Sequence, residues 1–192
     1  IYPAFDQIVS QLAKLTNRSA GHLQMPVVIR VPYGGGIGAV EHHSESPEAY
    51  FAHTAGLRVI SPSNPNDAYW MIQQAINSND PVLFFEPKRR YWQKGQVNLD
   101  GAAMPMHQAV TLRQGTDLTM VAYGPMVVTA LEAAENSGLA LSYIWIIEPV
   151  EWSAPENALR HWQFQWASIQ QLNELLAPFG RQVQVLYGAA TA

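Results

Sequence analysis

LRVISPSNPNDAYWMIQQAINSNDPVLFF, residues 57–85, places a helix pattern between two strand patterns. Leu57 to Ile60 is a short apolar run closed by Ser61-Pro62, which predicts a strand. Asn64-Pro65-Asn66-Asp67 puts a capping side chain, a helix-starting proline and a first-turn carboxylate in order. Tyr69, Ile72, Gln73 and Ile76 continue from it with one apolar side, which predicts a helix ending near Asn79. Asp80-Pro81 then turns into Val82-Leu83-Phe84-Phe85, a strand with no polar face. Strand, helix and strand at this spacing make a βαβ unit, and buried strands imply a parallel sheet with flanking helices.

Upstream, VVIRV at 27–31 lies between Pro26 and Pro32 and reads as another buried strand, followed by the loop Tyr33-Gly34-Gly35-Gly36-Ile37-Gly38. Ser46-Pro47-Glu48 supplies an N-cap hydroxyl, a proline and a carboxylate, which predicts a short helix to about His53. Further back, Ile8, Leu12 and Leu15 form a stripe at helical spacing, so residues 6–16 read as a helix laid on the core. Downstream, residues 86–107 dissolve into charge, glycine and proline and read as a linker. A second βαβ unit follows: strand 117–123, helix 126–135 and strand 139–147, with Asn136-Ser137-Gly138 as the stop. The expected organisation is therefore one α/β block over 1–100 and a second over 108–192. In the tail, 167–178 reads as a helix.

Composition excludes several classes. Eleven Lys and Arg against fifteen Asp and Glu give a net charge of −4 without long runs, so no basic face is available for nucleic acid. There is no cysteine, which removes disulfides, thiolate catalysis and cysteine-ligated zinc. The longest apolar run, Leu139 to Ile147, is about half of the ~20 residues that a membrane-spanning helix needs, so no membrane partner is expected. The chain opens without Met and already inside an amphipathic pattern, which reads as a fragment or a processed chain, and a cytoplasmic setting is the expectation.

The chemistry-bearing residues cluster after the 27–31 strand. Gly34, Gly35, Gly36 and Gly38 lack the G-x-G-x-x-G spacing and the Lys-Ser/Thr pair of phosphate loops. They either let the backbone pass close to a ligand or form a tight turn, and both readings stand. His42 and His43 follow, flanked by Glu41, Ser44 and Glu45, where open α/β sheets place their sites. Adjacent histidines point different ways, so one is expected to enter a site. His42, His43, Glu45 and His53 offer metal-ligand chemistry, but H-E-x-x-H is absent and the spacing suits no single helical face, so no metal is assigned to them. Ser61 and Ser63 lie outside a G-x-S-x-G elbow and read as turn residues. Lys88-Arg89-Arg90 with Tyr91-Trp92 could hold an anion, although three such charges usually form a solvated surface or an interface salt bridge.

Three stretches together resemble a known family: FDQIVSQLAK, RVPYGGGIGAVEHHSESPEAYFAHTAGLRVISPSNPNDAYWMIQQAI and DPVLFFEPKRRYW. They are similar to the beta subunit of branched-chain 2-oxo acid dehydrogenases, with pyruvate dehydrogenase beta subunits as the alternative, over residues 1 to about 135. The resemblance implies a transketolase-type pyrimidine-binding domain over 1–100, incomplete at its N-terminus, then the start of a transketolase C-terminal-like domain. It implies thiamine diphosphate with magnesium, held jointly with an alpha subunit in an alpha2-beta2 assembly, in the mitochondrial matrix if the source is eukaryotic. The acyl group of a 2-oxo acid would pass to a lipoyl-bearing acyltransferase. His43 would be the catalytic histidine of H-S-x-S-P-E, with Gly34, Gly35, Gly36, Gly38 and His42 lining the cofactor cavity, and a monovalent cation would sit beneath the 25–31 strand and the 75–80 turn. The family's activating glutamate lies upstream of the segment matching Ile1 onward, and its G-D-G magnesium motif belongs to the alpha subunit. The chain alone is therefore expected to be inactive, and an inert assembly module is the competing reading. From about residue 140 the sequence diverges from the family.

Overall fold

The computed structural model describes residues 1–101, 106, 109–137 and 141–145, the last five through their backbone alone. A three-stranded parallel sheet forms the first block. It contains β1 (Val28–Tyr33), β2 (Arg58–Ile60) and β3 (Val82–Pro87) in the order β1-β3-β2. β3 sits in the centre because its side chains have nowhere polar to face: Val82, Leu83 and Phe85 are fully buried and Phe84 is 4% exposed. Its alternation divides the core in two. Val82 and Phe84 pack with Ile60, Met71 and Ala75 on one face, and Leu83 and Phe85 with Ile8, Ala13, Phe51 and Leu57 on the other. Each such large apolar side chain contributes about 1.5–3 kcal/mol on burial.

Three helices cover those faces. α3 (Pro65–Ile76) is the helix of the expected βαβ unit, and Asn64 caps it by accepting the Asp67 amide at 2.9 Å. α2 (Glu48–Ala52) is shorter than expected: it starts after Pro47, and Ser46 makes no cap. The N-terminal helix also departs from the regular stripe. A π-helical segment, Gln7–Leu12, runs into α1 (Ala13–Arg18). The wider turn matches an i to i+5 spacing, and the residues buried beneath it are Ile8 and Ala13, five apart, while Leu12 and Leu15 are only half-buried. Because Ala13 is small, α1 lies directly on the 54–56 turn, where Lys14 Nζ donates to the Ala55 carbonyl at 2.6 Å.

β1 extends two residues further than the Val27–Val31 run. Pro32 is tolerated because β1 is an edge strand in this sheet. The predicted linker is shorter too: β3 reaches Pro87, a 3-10 turn covers Lys88–Arg90, and Asn98 ties the following segment to α3 by bonds to Asn66 Oδ1 and Trp70 Nε1, each 3.0 Å.

The second sheet has the order β4-β6-β5, with β4 (Val110–Arg113), β5 (Leu118–Val121) and β6 (Leu141–Trp145). The expected β5-α4-β6 unit is present, with α4 at Met126–Ser137 and β5 parallel to β6. β4, antiparallel to β6 with an irregular register at Thr111/Arg113, was not expected. Val127 of α4 joins the Ile60–Met71–Phe84 core, so the second block closes that face of the first. The sequence-predicted 167–178 helix lies outside the described residues. Among the described residues no helix is long and apolar enough to cross a membrane.

Candidate functional site

In a parallel sheet, neighbouring strands finish at the same end, so the loops after β1 and β3 meet. Tyr33 lies opposite Pro87, which sets the glycine loop beside Lys88 and Arg89. The loop turns sharply through Gly34, Gly36 and Gly38, with φ of +83°, +83° and +76°. At Gly36 there is a second demand: an added Cβ would lie 3.0 Å from Arg89 Cδ, so the arginine rests on a position that only glycine leaves open. At Gly34 and Gly38 the same atom would meet nothing within 4 Å, so the main chain faces open space.

The loop runs into a 3-10 turn, Glu41–His43, that carries both histidines in exposed positions. Their rings sit 5.9 Å apart at 31°. Hydrogen bonds hold this segment by its backbone: Gly34 N to Glu45 O at 2.8 Å, His43 N to Val40 O at 3.0 Å, and Ser44 Oγ to Ala39 O at 2.6 Å. Lys88 Nζ donates to the His43 carbonyl. His42 lines a shallow cleft of about 490 Å³ together with Tyr2, Glu45, Ser46 and Tyr50, and His43 is not among its lining residues.

A polar cluster that the sequence did not single out lies at the end of β1 and the start of α2. Tyr33 OH and Ser61 Oγ share a 2.6 Å bond, and Tyr123 OH donates to Glu48 Oε1 at 3.0 Å. Burial raises the Tyr33 phenol to about 12, against a lowering by the Ser61 bond and with a smaller push from the Glu48 charge. Burial, the Glu48 charge and the bond to it also raise Tyr123. Gly124 fits against this cluster, because its Cβ would come within 2.5 Å of Ser61 Oγ. The α2 end of the histidine segment is thereby joined to the second block.

A deeper cavity of about 370 Å³ opens at the carboxyl ends of β2 and β3, beside the start of α3. Phe84 and Ile72 give it an apolar floor, while Asn64, Glu86, Arg90 and Gln93 supply polar rim groups. Arg30 pairs with Glu86 at its edge, and Tyr91 OH donates to Glu86 Oε2 at 2.8 Å.

Of the sequence-predicted site residues, the structure thus brings Gly34, Gly35, Gly36, Gly38, His42 and His43 into one loop system and adds Lys88 and Arg89 to it. The signal for the last two was present as KRR, but register, rather than composition, places them there. The segment entering β1 meets the 75–80 turn through Met25 N and Asn79 O at 3.0 Å. No three His, Asp or Glu side chains among the described residues converge in a way that could hold a metal ion. Open backbone at Gly34 and Gly38 and the exposed imidazole of His43 thus leave room for a bound ring at this end of the sheet.

Residues 1–93 match the family described as transketolase, pyrimidine binding domain. The chain is 62% identical over 135 residues to the pyruvate dehydrogenase E1 component subunit beta of Leifsonia xyli subsp. xyli, covering 70% of this chain and 40% of that one. It is 49% identical over 150 residues to the 3-methyl-2-oxobutanoate dehydrogenase subunit beta of Mycobacterium tuberculosis, covering 78% and 42%. It is 45% identical over 137 residues to the 2-oxoisovalerate dehydrogenase subunit beta of Bacillus subtilis, covering 71% and 42%. The chain thus spans less than half the length of each of these three relatives. Among solved structures, a split gene transketolase, an inactive beta4 tetramer, superposes with a TM-score of 0.52 at 19% identity, covering 71% of this chain and 47% of that one, which shows the shared fold.

Proposed function

We propose, on the match of residues 1–93 to the family described as transketolase, pyrimidine binding domain, that the chain is part of the beta subunit of a thiamine-diphosphate-dependent 2-oxo acid dehydrogenase. The observation that carries this is the His43 loop: an exposed imidazole on a backbone-anchored segment, beside open glycine backbone, at the carboxyl end of the parallel sheet. The substrate is a branched-chain 2-oxo acid. The pyruvate reading stands beside it because the relative at 62% identity is named a pyruvate dehydrogenase subunit. An alpha subunit in an alpha2-beta2 assembly supplies the diphosphate and magnesium contacts that the described residues lack, and the acyl group leaves on lipoyl-lysine of an acyltransferase.

Thiamine diphosphate, when bound, supplies the carbanion stabilisation on which decarboxylation depends. The chain's own residues contribute position and proton traffic. Gly34 and Gly38 leave the main chain open toward a bound ring, and Gly36 gives its space to Arg89. His43 holds and returns a proton during acyl transfer, a role open to an exposed imidazole. Lys88 and Ser44 keep the loop from shifting as it does so. His42, on the neighbouring cleft, lines the approach.

The test is His43→Ala in an assembly with the alpha subunit. Acyl transfer to lipoamide should fall by a factor of about 10²–10⁴, the range of a lost general acid–base group. Full retained activity would overturn the assignment. Running the assay with pyruvate and with 3-methyl-2-oxobutanoate separates the two substrate readings by kcat/KM. Calorimetric titration of thiamine diphosphate with magnesium, with and without the alpha subunit, tests the competing assembly-module reading, which predicts no binding in either case.

A further inference from the structure

The Lys88–Arg89 pair is not used by the fold in the way surface cations usually are. The ion pairs formed among the described residues are Arg30–Glu86 and Arg58–Asp80, so neither Lys88 nor Arg89 has a carboxylate partner. The chain has net charge −4, and Glu41 and Glu45 flank the histidines nearby without pairing to either cation. Both cations instead turn toward the site loop. Lys88 Nζ donates to the His43 carbonyl, and the Arg89 stem and guanidinium lie over Gly36, with Cδ, Nε and Nη1 at 3.0, 3.5 and 3.6 Å from where a Cβ would stand. Among the described residues Arg89 has no hydrogen-bond acceptor, and it is exposed.

We propose that Lys88 and Arg89 are the anion-recognising pair of this site and that Arg89 binds the carboxylate of the 2-oxo acid. The inference rests on the dehydrogenase reading above. A guanidinium presents two parallel N–H donors that match a carboxylate, whereas an ammonium does not, so Arg89 carries the specificity and Lys88 the local positive field and the loop tether. All 2-oxo acids share this carboxylate, so the pair selects for the acid end and leaves chain length to the apolar walls.

The reaction gives this binding a kinetic signature. The carboxylate is fully charged in the bound substrate and loses its charge as carbon dioxide departs. The ion pair is therefore stronger in the ground state than in the transition state. Arg89→Gln should raise KM by roughly fivefold, a factor discounted for an exposed pair, and leave kcat unchanged or higher. A purely structural role would instead lower kcat along with stability.

The first measurement uses the full chain alone. Histidine imidazole resonances are followed by NMR during titration with pyruvate and with methyl pyruvate, its uncharged methyl ester. Pyruvate should give saturable shifts at His43, and the ester should bind several-fold more weakly. Arg89→Gln should weaken pyruvate binding roughly fivefold, Arg89→Lys less, and Arg18→Gln, which removes a distant exposed cation, not at all. The inference is overturned if the ester titrates alongside the acid, if Arg18→Gln weakens binding as much as Arg89→Gln, or if no saturable shift occurs. The second measurement, in the assembly with the alpha subunit, is overturning if Arg89→Gln lowers kcat at unchanged KM. A failure of the dehydrogenase reading shows separately, as absent thiamine diphosphate binding with wild-type subunits, which none of the Arg89 outcomes mimics.

Discussion

Gly56→Ala measures how tightly the N-terminal helix is seated. Gly56 has φ of +94°, and an added Cβ would stand 1.9 Å from the Ala13 carbonyl oxygen and 2.9 Å from its carbon. Both are backbone atoms of α1, so relief requires moving the helix away from Phe51 and Leu57, with which Ala13 shares a core. A left-handed conformation costs an alanine about 1–2 kcal/mol, and overpacking adds about 1–3 kcal/mol. A loss of about 3 kcal/mol follows, against a typical total of about 5–15 kcal/mol. Gly21 supplies the control, since its φ is +82° but a Cβ there would meet nothing within 4 Å. Gly21→Ala should pay the conformational cost alone, about 1 kcal/mol. With a urea m-value of about 2 kcal/mol/M, the midpoints should fall by about 1.5 M and about 0.5 M respectively. Equal shifts for the two variants would refute the contact between α1 and the 54–56 turn.

Other outcomes follow from the same geometry. Asn64→Ala removes the cap of α3 and its bond to Asp67, and should cost about 1 kcal/mol in thermal or urea unfolding. Tyr33→Phe should change the alkaline limb of stability. The folded phenol is raised from 10.0 to about 12, so its contribution is fully present below pH 10 and is lost as pH rises toward 12. The variant should therefore show a shallower loss of stability over that window and, at pH 7, a deficit of about 1 kcal/mol from the missing bond to Ser61. Gly36→Val should displace Arg89, and its effect on pyruvate titration should match that of Arg89→Gln. An unchanged titration would separate the loop from the arginine.

Legibility in the sequence followed locality. The β2-α3-β3 unit was readable because each of its signals, the Asn64 cap and the Val82–Phe85 run, acts within a few residues. The site loop was readable as glycines and histidines, and the resemblance selected His43. Contacts that depend on register were not readable. Lys88 and Arg89 join the glycine loop only because Tyr33 faces Pro87 across two parallel strands, and KRR alone looks like solvated surface. β4 escaped because its residues alternate poorly, being half-buried only at its two ends. The π-helical turn escaped because the stripe Ile8, Leu12 and Leu15 also satisfies an ordinary helix, and Ala13 carries too little apolar surface to announce burial.

The anchorage of the histidine segment separates two jobs that are commonly fused in one side chain. Among the described residues, the hydrogen bonds holding residue 43 run through its peptide group, to Val40 on one side and Lys88 on the other. Among the described residues its imidazole makes no hydrogen bond and meets only the ring of His42, 5.9 Å away. Position 43 is therefore a socket: whatever residue occupies it inherits the same seat, so its chemistry can be exchanged without rebuilding the loop. A set of replacements at this one position, all folding alike, would read out which proton-carrying groups the site can use, free of the structural collapse that usually blurs such comparisons.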